Sequence, residues 1–371
     1  MKIALIVGYI RVGGFQTFLL NVLKLLDQNK VYIDIYYYEI PKTIMDMFPK
    51  NNYILMDKPS FFDKLLTLLK LNVMIQYLKE IFKDSKSNKF YCLYLSELAK
   101  RGNKIEQEYD KVISLSEHFN LYLNVNFLHV GKRYCWIHPN YVLAKFDKKI
   151  DYKYLKRFDS IFAVSKNNAQ VLKKEFPCLK EKIDFIENVL DIDYITAMGN
   201  ERVNNPYEDN VLKMLTVCRI TNDSKRVDRM LQIAKQLESE SVNFNWVFIG
   251  EGPDLESCKS YAKDNNLHSV KFLGNKKNPY PYFKLADLFV LLSEYEGNPY
   301  VLKDARIFSL AYLIKDYDRS LIRPDMNCFG LKNDKLLVES ATTFIKNYNY
   351  SNNIYKLDQS RDISKILELF N

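Results

Sequence analysis

The feature that most constrains this chain is a repeated rhythm in which a short apolar run breaks off at Gly, Pro, Asn or a charged residue and an amphipathic helical pattern follows. Residues 2–8 contain IALIV, 31–38 form the next run, 110–115 read DKVISL, 132–137 KRYCWI, 158–164 FDSIFAV, and 183–186 close the series. Near-continuous apolar runs, rather than alternating ones, are what strands covered on both faces need, and parallel sheets are covered in this way. Strand and helix alternate, which excludes all-α and all-β architectures and predicts doubly wound α/β structure. The same rhythm restarts at Met214 with LTVCRI, then FNWVFI, residues 270–273 and residues 287–292. At 371 residues the chain is too long for one ordinary core. Two domains are expected, residues 1–190 and 191–355, with a helical segment over 356–371 able to pack back on the first.

Composition narrows the function. A hydrophobic share of 47% and a charged share of 27% belong to a globular protein. The formal net charge of +9 suits an anionic partner such as nucleotide phosphates or a membrane surface. No nucleic-acid-binding signature accompanies it, so no nucleic acid partner is expected. The six cysteines are scattered without a C-x-x-C pair and read as buried free thiols of a reducing cytoplasm. The N-terminal apolar run is too short for a signal peptide, and no run is long enough to span a bilayer. Localisation is expected to be cytoplasmic.

Residues 61–83 form one amphipathic helix on this reading. Phe62, Leu66, Leu69, Val73 and Tyr77 fall on one side; Lys64, Lys70 and Lys79 fall elsewhere. Two readings stand side by side: a core helix facing the sheet, or a basic helix lying in the interface of an anionic inner membrane.

Candidate functional residues gather where strands end. The first strand runs into YIRVGGFQ, where Gly13 and Gly14 permit close backbone approach, although the loop lacks G-x-G-x-x-G. Glu117 and His118 follow one strand and His138 the next, at the carboxyl ends where open α/β sheets place ligands. In the second half, residues 293–315 read SEYEGNPYVLKDARIFSLAYLIK. A strand enters an acidic turn and then a helical pattern, with Glu296 on the turn and Asp304 in the helix. Free amides at a helix N-terminus suit an anion, and two carboxylates beside them suit hydroxyls. A sugar attached to a diphosphate carries both. The plainer alternative is an ordinary helix start with Asp304 on the surface. Asp191 and Asp193 are not read as a metal pair.

The order of these pieces resembles the family 4 glycosyltransferases, retaining enzymes of the two-domain GT-B fold. The resemblance rests on FDSIFAVSKNNAQVLKKEF, VCRITNDSKRVDRML, IGEGPDLES, VKFLGN and SEYEGNPYVLKDA, in that order. It implies two Rossmann-like domains facing across a cleft, closing on a nucleotide-sugar donor, with UDP-sugars favoured. Arg219 and Lys225 would hold the diphosphate, joined by amides of Gly297, Asn298, Tyr300 and Val301; Pro299 has no N–H to give. Glu296 would accept from hydroxyls of the transferred sugar. Asp304, where the family usually has Glu, would hold the ribose. His138 would orient the sugar, with His118 and Glu117 as secondary candidates, and Gly13 and Gly14 would lie near donor phosphate and acceptor. The resemblance implies neither metal nor cofactor. It implies a hexose or N-acetylhexosamine moved to a glycan or lipid-linked acceptor in capsule, exopolysaccharide or lipopolysaccharide assembly, peripherally at the inner membrane face. A sugar-nucleotide epimerase, or a non-catalytic nucleotide-binding assembly protein on the same scaffold, is the alternative.

Overall fold

The computed structural model describes residues 1–10, 14–81, 88–117, 119–294, 296, 298–315, 328–331, 336–348 and 357–370. Gly13, His118 and Gly297 lie outside the described residues. The chain divides into two compact units, Met1–Leu190 with Gln359–Asn371, and Asp191–Asp358.

In the first unit the strands are β1 (Ile3–Tyr9), β2 (Asp34–Glu39), β3 (Asn52–Leu55), β4 (Tyr109–Ser114), β5 (Val130–Ile137), β6 (Ser160–Ala163) and β7 (Ile183–Phe185). They form a parallel sheet in the order β3-β2-β1-β4-β5-β6-β7. In the second unit β8 (Leu212–Val217), β9 (Phe244–Ile249), β10 (Val270–Phe272), β11 (Leu288–Leu291), β12 (Ala311–Lys315) and β13 (Cys328–Leu331) run in the order β10-β9-β8-β11-β12-β13. All of their pairings are parallel too. Each order reverses once, between β1 and β4 and between β8 and β11. At such a switch point two neighbouring loops leave in opposite directions and open a crevice.

The central strands are buried on both faces, β1 in the first sheet and β9, β11 and β12 in the second, which explains their apolar runs. In the second sheet Met214, Trp246, Phe248, Leu288 and Val290 pack in one cluster. Their immediate neighbours Leu215, Val247, Ile249, Phe289 and Leu291 pack in another. Alternation of side chains along a strand therefore fills two cores rather than one. The helix Ser360–Phe370 belongs to the first unit. Its Lys365 pairs with Asp184 at 2.6 Å, and Asp362 accepts from the Glu187 amide at 2.9 Å.

Two sequence expectations change. Residues 311–315 continue the helical pattern on paper but form β12. The helix stops at Ile307, Ser309 turns the backbone with φ 56°, and the apolar AYLIK pairs with β11. The single helix over 61–83 is two helices, Phe61–Leu68 and Leu71–Ile81. The first is opened by a Ser60–Asp63 capping box. Thr67 and Val73 are both fully buried. Six residues apart on one continuous helix, they would point about 120° apart; the break lets both turn inward. Among the described residues no helix is long and apolar enough to cross a membrane, and five cysteines are free, Cys178 being exposed rather than buried.

Candidate active site

The second unit brings its candidate residues to the switch point. Arg219 and Lys225 lie on the loop after β8, and Glu296 lies on the turn after the neighbouring β11. That loop is held by contacts to the segment after β9 and by its own side chains, Thr221 with Ser224 (2.9 Å) and Asn222 Oδ1 accepting from the Asp228 amide (3.0 Å). The Cys218 amide donates to Ile249 (3.1 Å), the Ile220 amide to Glu251 (2.9 Å) and the Asn222 amide to Asp254 Oδ2 (2.8 Å). Glycine is required opposite it. A Cβ on Gly250, whose φ is +141°, would sit 1.9 Å from the Cys218 carbonyl oxygen, and one on Gly252 would sit 2.1 Å from that of Ile220.

Lys225 Nζ donates to Glu296 Oε1, which also accepts from Ser293 Oγ at 2.7 Å. Both charged side chains are largely buried, with 25% and 12% of their surface exposed. In so little water the attraction between them is stronger than in an exposed pair. Arg219, by contrast, is exposed.

Beyond the turn, the helix Tyr300–Ile307 begins without a side-chain cap. The amides of its first turn, at Tyr300 and Val301, have no acceptor within the helix and mark its positive end. Asn298 and Tyr300 are buried. One turn further in, Asp304 is only 7% exposed, and its Oδ1 has no hydrogen-bond partner among the described residues. The expectation of a surface Asp304, the plainer alternative, is therefore not met. Burial pushes its carboxyl up to about 8. An enclosed carboxyl oxygen without a partner costs free energy, a cost that a hydroxyl donor placed against it would offset.

A second layer, not anticipated from the sequence, ties the loop to the turn. The Glu294 amide donates to the Ser224 carbonyl at 2.7 Å. Its carboxylate meets Lys315 at 2.9 Å, Arg229 at 3.1 Å and Arg226 at 3.5 Å. Lys315 is almost fully buried at the end of β12. Burial alone would raise the Glu294 carboxyl, but Lys315, Arg229 and Arg226 more than offset it and hold it below its ordinary range. The last residue of β12 and the segment after β8, from Arg226 into the helix Val227–Ser239, thus converge on one carboxylate of the turn after β11, two residues from Glu296. Glu294→Ala is expected to destabilise the protein by about 1–3 kcal/mol, discounted because Glu294 is partly exposed. Denaturant midpoints check this: pairing the change with Lys315→Met restores most of the loss if the cause is a stranded buried ammonium.

In the first unit His138 follows β5. Its amide donates to Glu117 Oε2 at 3.1 Å, and its carbonyl accepts from Asn168 at 3.4 Å. Nε2 lies 2.8 Å from the Leu115 carbonyl oxygen. A carbonyl can only accept, so Nε2 carries the proton and Nδ1 is the acceptor side of a neutral ring. Burial holds the imidazole below its ordinary range, with the Glu117 charge and the Leu115 carbonyl opposing. Phe15 and Phe18 meet the ring edge-on at 5.5 and 4.7 Å between centroids. Gly14 opens their helix, Gly14–Gln28, and is exposed. Glu117 therefore acts on the His138 backbone here. The motif signal for His138 was its place at a strand end; nothing in sequence spacing pointed to Phe15, Phe18 or Asn168.

Among the described residues no group of three or more His, Cys, Asp or Glu gathers as a metal site.

Residues 199–358 match the family model for glycosyl transferases group 1. An uncharacterized glycosyltransferase of Methanocaldococcus jannaschii, MJ1059, is 25% identical over 231 residues, 58% of this chain and 55% of that protein. The chain thus spans about half the length of that relative. The lipopolysaccharide outer core galactosyltransferase WaaB superposes over 100% of this chain and 95% of its own, with a TM-score of 0.62 at 16% identity. Anabaena Alr3699/HepE, solved in complex with UDP, covers 100% of this chain and 96% of its own, with a TM-score of 0.65 at 12% identity. The two parallel-sheet units therefore have the GT-B fold of glycosyltransferases, and over the second unit the sequence likeness is to glycosyl transferases group 1.

Proposed function

We propose that the protein is a retaining glycosyltransferase that moves a hexose or N-acetylhexosamine from a nucleotide-sugar, with UDP-sugars favoured, to a hydroxyl of a glycan or lipid-linked acceptor. The observation that carries this reading is the Lys225–Glu296 pair at the switch point of the second sheet, beside a helix N-terminus and an enclosed Asp304. The solved complex of HepE with UDP supports the choice of base, and likeness to the lipopolysaccharide outer core galactosyltransferase WaaB supports a setting in lipopolysaccharide assembly; capsule or exopolysaccharide assembly, at the inner membrane face, belongs to the same proposal.

In this reading, diphosphate and sugar arrive together and divide the pair. Lys225, with Arg219, turns to the diphosphate, while Glu296 accepts from hydroxyls of the sugar. The amides of Tyr300 and Val301, with Gly297 and Asn298 before them, add hydrogen bonds to phosphate. Asp304 takes the ribose hydroxyls. His138 orients the transferred sugar through Nδ1, with Glu117 fixing its backbone and His118, Gly13 and Gly14 as further contacts. The bond between the anomeric carbon and the β-phosphate oxygen breaks as the acceptor oxygen bonds to the same face. The acceptor's proton leaves with the phosphate. Charge grows on the departing diphosphate, and fixed cations placed where charge develops are the largest usual source of catalysis. Arg219, Lys225 and the helix end supply that charge, so the proposal includes no divalent metal.

A thermal-shift series with UDP, GDP and ADP tests the donor half. Binding to the folded state raises the midpoint by mass action. One diphosphate, expected to be UDP, raises it by several degrees; no shift with any of them removes the reading. An epimerase would turn over a nucleotide-sugar without acceptor, and an assembly protein would bind without turnover.

A further inference from the structure

We propose that the helix pair Phe61–Leu68 and Leu71–Ile81 is a docking surface for an anionic lipid membrane. The proposal deepens the reading above, in which the acceptor is lipid-linked, but the surface stands on its own geometry.

These two helices are inside out. In Leu71–Ile81 the apolar positions at helical spacing are Leu71, Met74, Ile75 and Leu78, and all four are exposed. At 100° per residue they form one stripe, and the buried Val73 lies on the opposite side. In Phe61–Leu68 and its C-cap, Phe61, Phe62, Leu65, Leu66 and Leu69 are exposed, while the polar Thr67 is fully buried. Phe61 is 76% exposed and Leu71 67%. Single exposed apolar residues are ordinary, whereas a contiguous outward stripe marks an interaction site. The inward side is already occupied by the helix Lys89–Ala99, which both helices contact.

Charge selects the occupant. Asp63 is engaged in the capping box, and Glu80 accepts from Gln76 and from the Phe90 amide. Lys70 is paired with Glu97, so it does not contribute as the sequence suggested. Lys64 and Lys79 are exposed and sit on the flanks of the two stripes. An apolar stripe flanked by cations complements anionic headgroups over acyl chains. A second copy of the chain would instead present the same lysines to each other. Helices of 8 and 11 residues are too short to cross a bilayer and suit lying within its interface.

Co-sedimentation of the full chain with vesicles of equal phosphatidylglycerol and phosphatidylcholine tests this. The parent is expected to sediment, and Leu71→Ser with Ile75→Ser to lower partitioning by roughly 100-fold. Lys64→Gln with Lys79→Gln is expected to lower it about tenfold on these vesicles and not on phosphatidylcholine alone. All four positions are exposed, so the circular dichroism melts should match the parent's; if the leucine–isoleucine variant does not fold, Phe61→Ser with Phe62→Ser reads the same surface. A parent that stays in the supernatant overturns the proposal, as does an apolar variant that sediments like the parent. A parent dimer that the variant splits, without vesicle binding, overturns it in favour of a second copy. The nucleoside diphosphate shift, read on the same samples, separates the two readings. A retained shift with no vesicle binding removes only the docking surface; vesicle binding with no shift removes only the enzymatic reading.

Discussion

Lys225→Ala is expected to slow sugar transfer by roughly 100- to 1,000-fold, the scale seen when one preorganised charge-stabilising group is removed. On the proposed reading the fold holds the residue in position, since its loop is pinned to the Gly250–Asp254 segment and latched through Ser224 to Glu294. Glu296→Ala is expected to cost a similar factor by removing the acceptor for sugar hydroxyls. The two residues share one hydrogen bond, so their effects should not add. The double variant should be little worse than either single one, as for groups that act as a unit. Initial rates of nucleoside diphosphate release, with the base named by thermal shift, measure all three. Wild-type rates in both single variants would show that the chemistry lies elsewhere.

Asp304→Asn should change the pH dependence of stability and weaken nucleotide binding about tenfold. The sign follows from where the proton is held. The folded carboxyl is pushed up to about 8 by burial, whereas the unfolded one titrates near its ordinary value. Between about pH 4 and pH 8 the folded state therefore binds the extra proton, and stability falls as pH rises through that window. Below it the group contributes no penalty. Asn cannot ionise, so the variant should gain on the parent from pH 5 to pH 8, by at most about 1.4 kcal/mol per pH unit. Melting temperatures of both proteins across that range check it; parallel curves would mean that Asp304 is not enclosed as described. Ribose hydroxyls donating to the carboxylate favour its charged form, so nucleotide should lessen the parent's loss of stability at pH 8.

The α/β rhythm was legible because burial on both faces leaves a plain mark in the central strands: IALIV at 3–7, VFI at 247–249 and LFVLL at 288–292 contain no polar residue. The approach of Lys225 to Glu296, 71 positions apart, was legible only through the resemblance, since the sheet order places β11 beside β8. What stayed hidden depends on that order with no local signal. Arg226, Arg229, Glu294 and Lys315 meet only because β8, β11 and β12 are neighbours, and LAYLIK reads as helix until its pairing with β11 is known. The break between Leu68 and Leu71 carries neither Pro nor Gly; tertiary packing of Thr67 and Val73 decides it. The outward stripe of that helix pair was visible as amphipathicity, but periodicity cannot say which side faces the protein.

Transfer of sugar from a nucleotide-sugar, with Glu296 and Lys225 at the reacting end as proposed, requires that donor cleavage depend on both side chains. The most direct test is nucleoside diphosphate release from a panel of nucleotide-sugars, with and without a glycan or lipid-linked hydroxyl acceptor, by parent and Glu296→Ala protein. Release is expected from one donor, accelerated by acceptor and reduced about 100-fold in the variant. Acceptor-dependent release that is equal in parent and variant, or no release from any donor, would contradict the proposal.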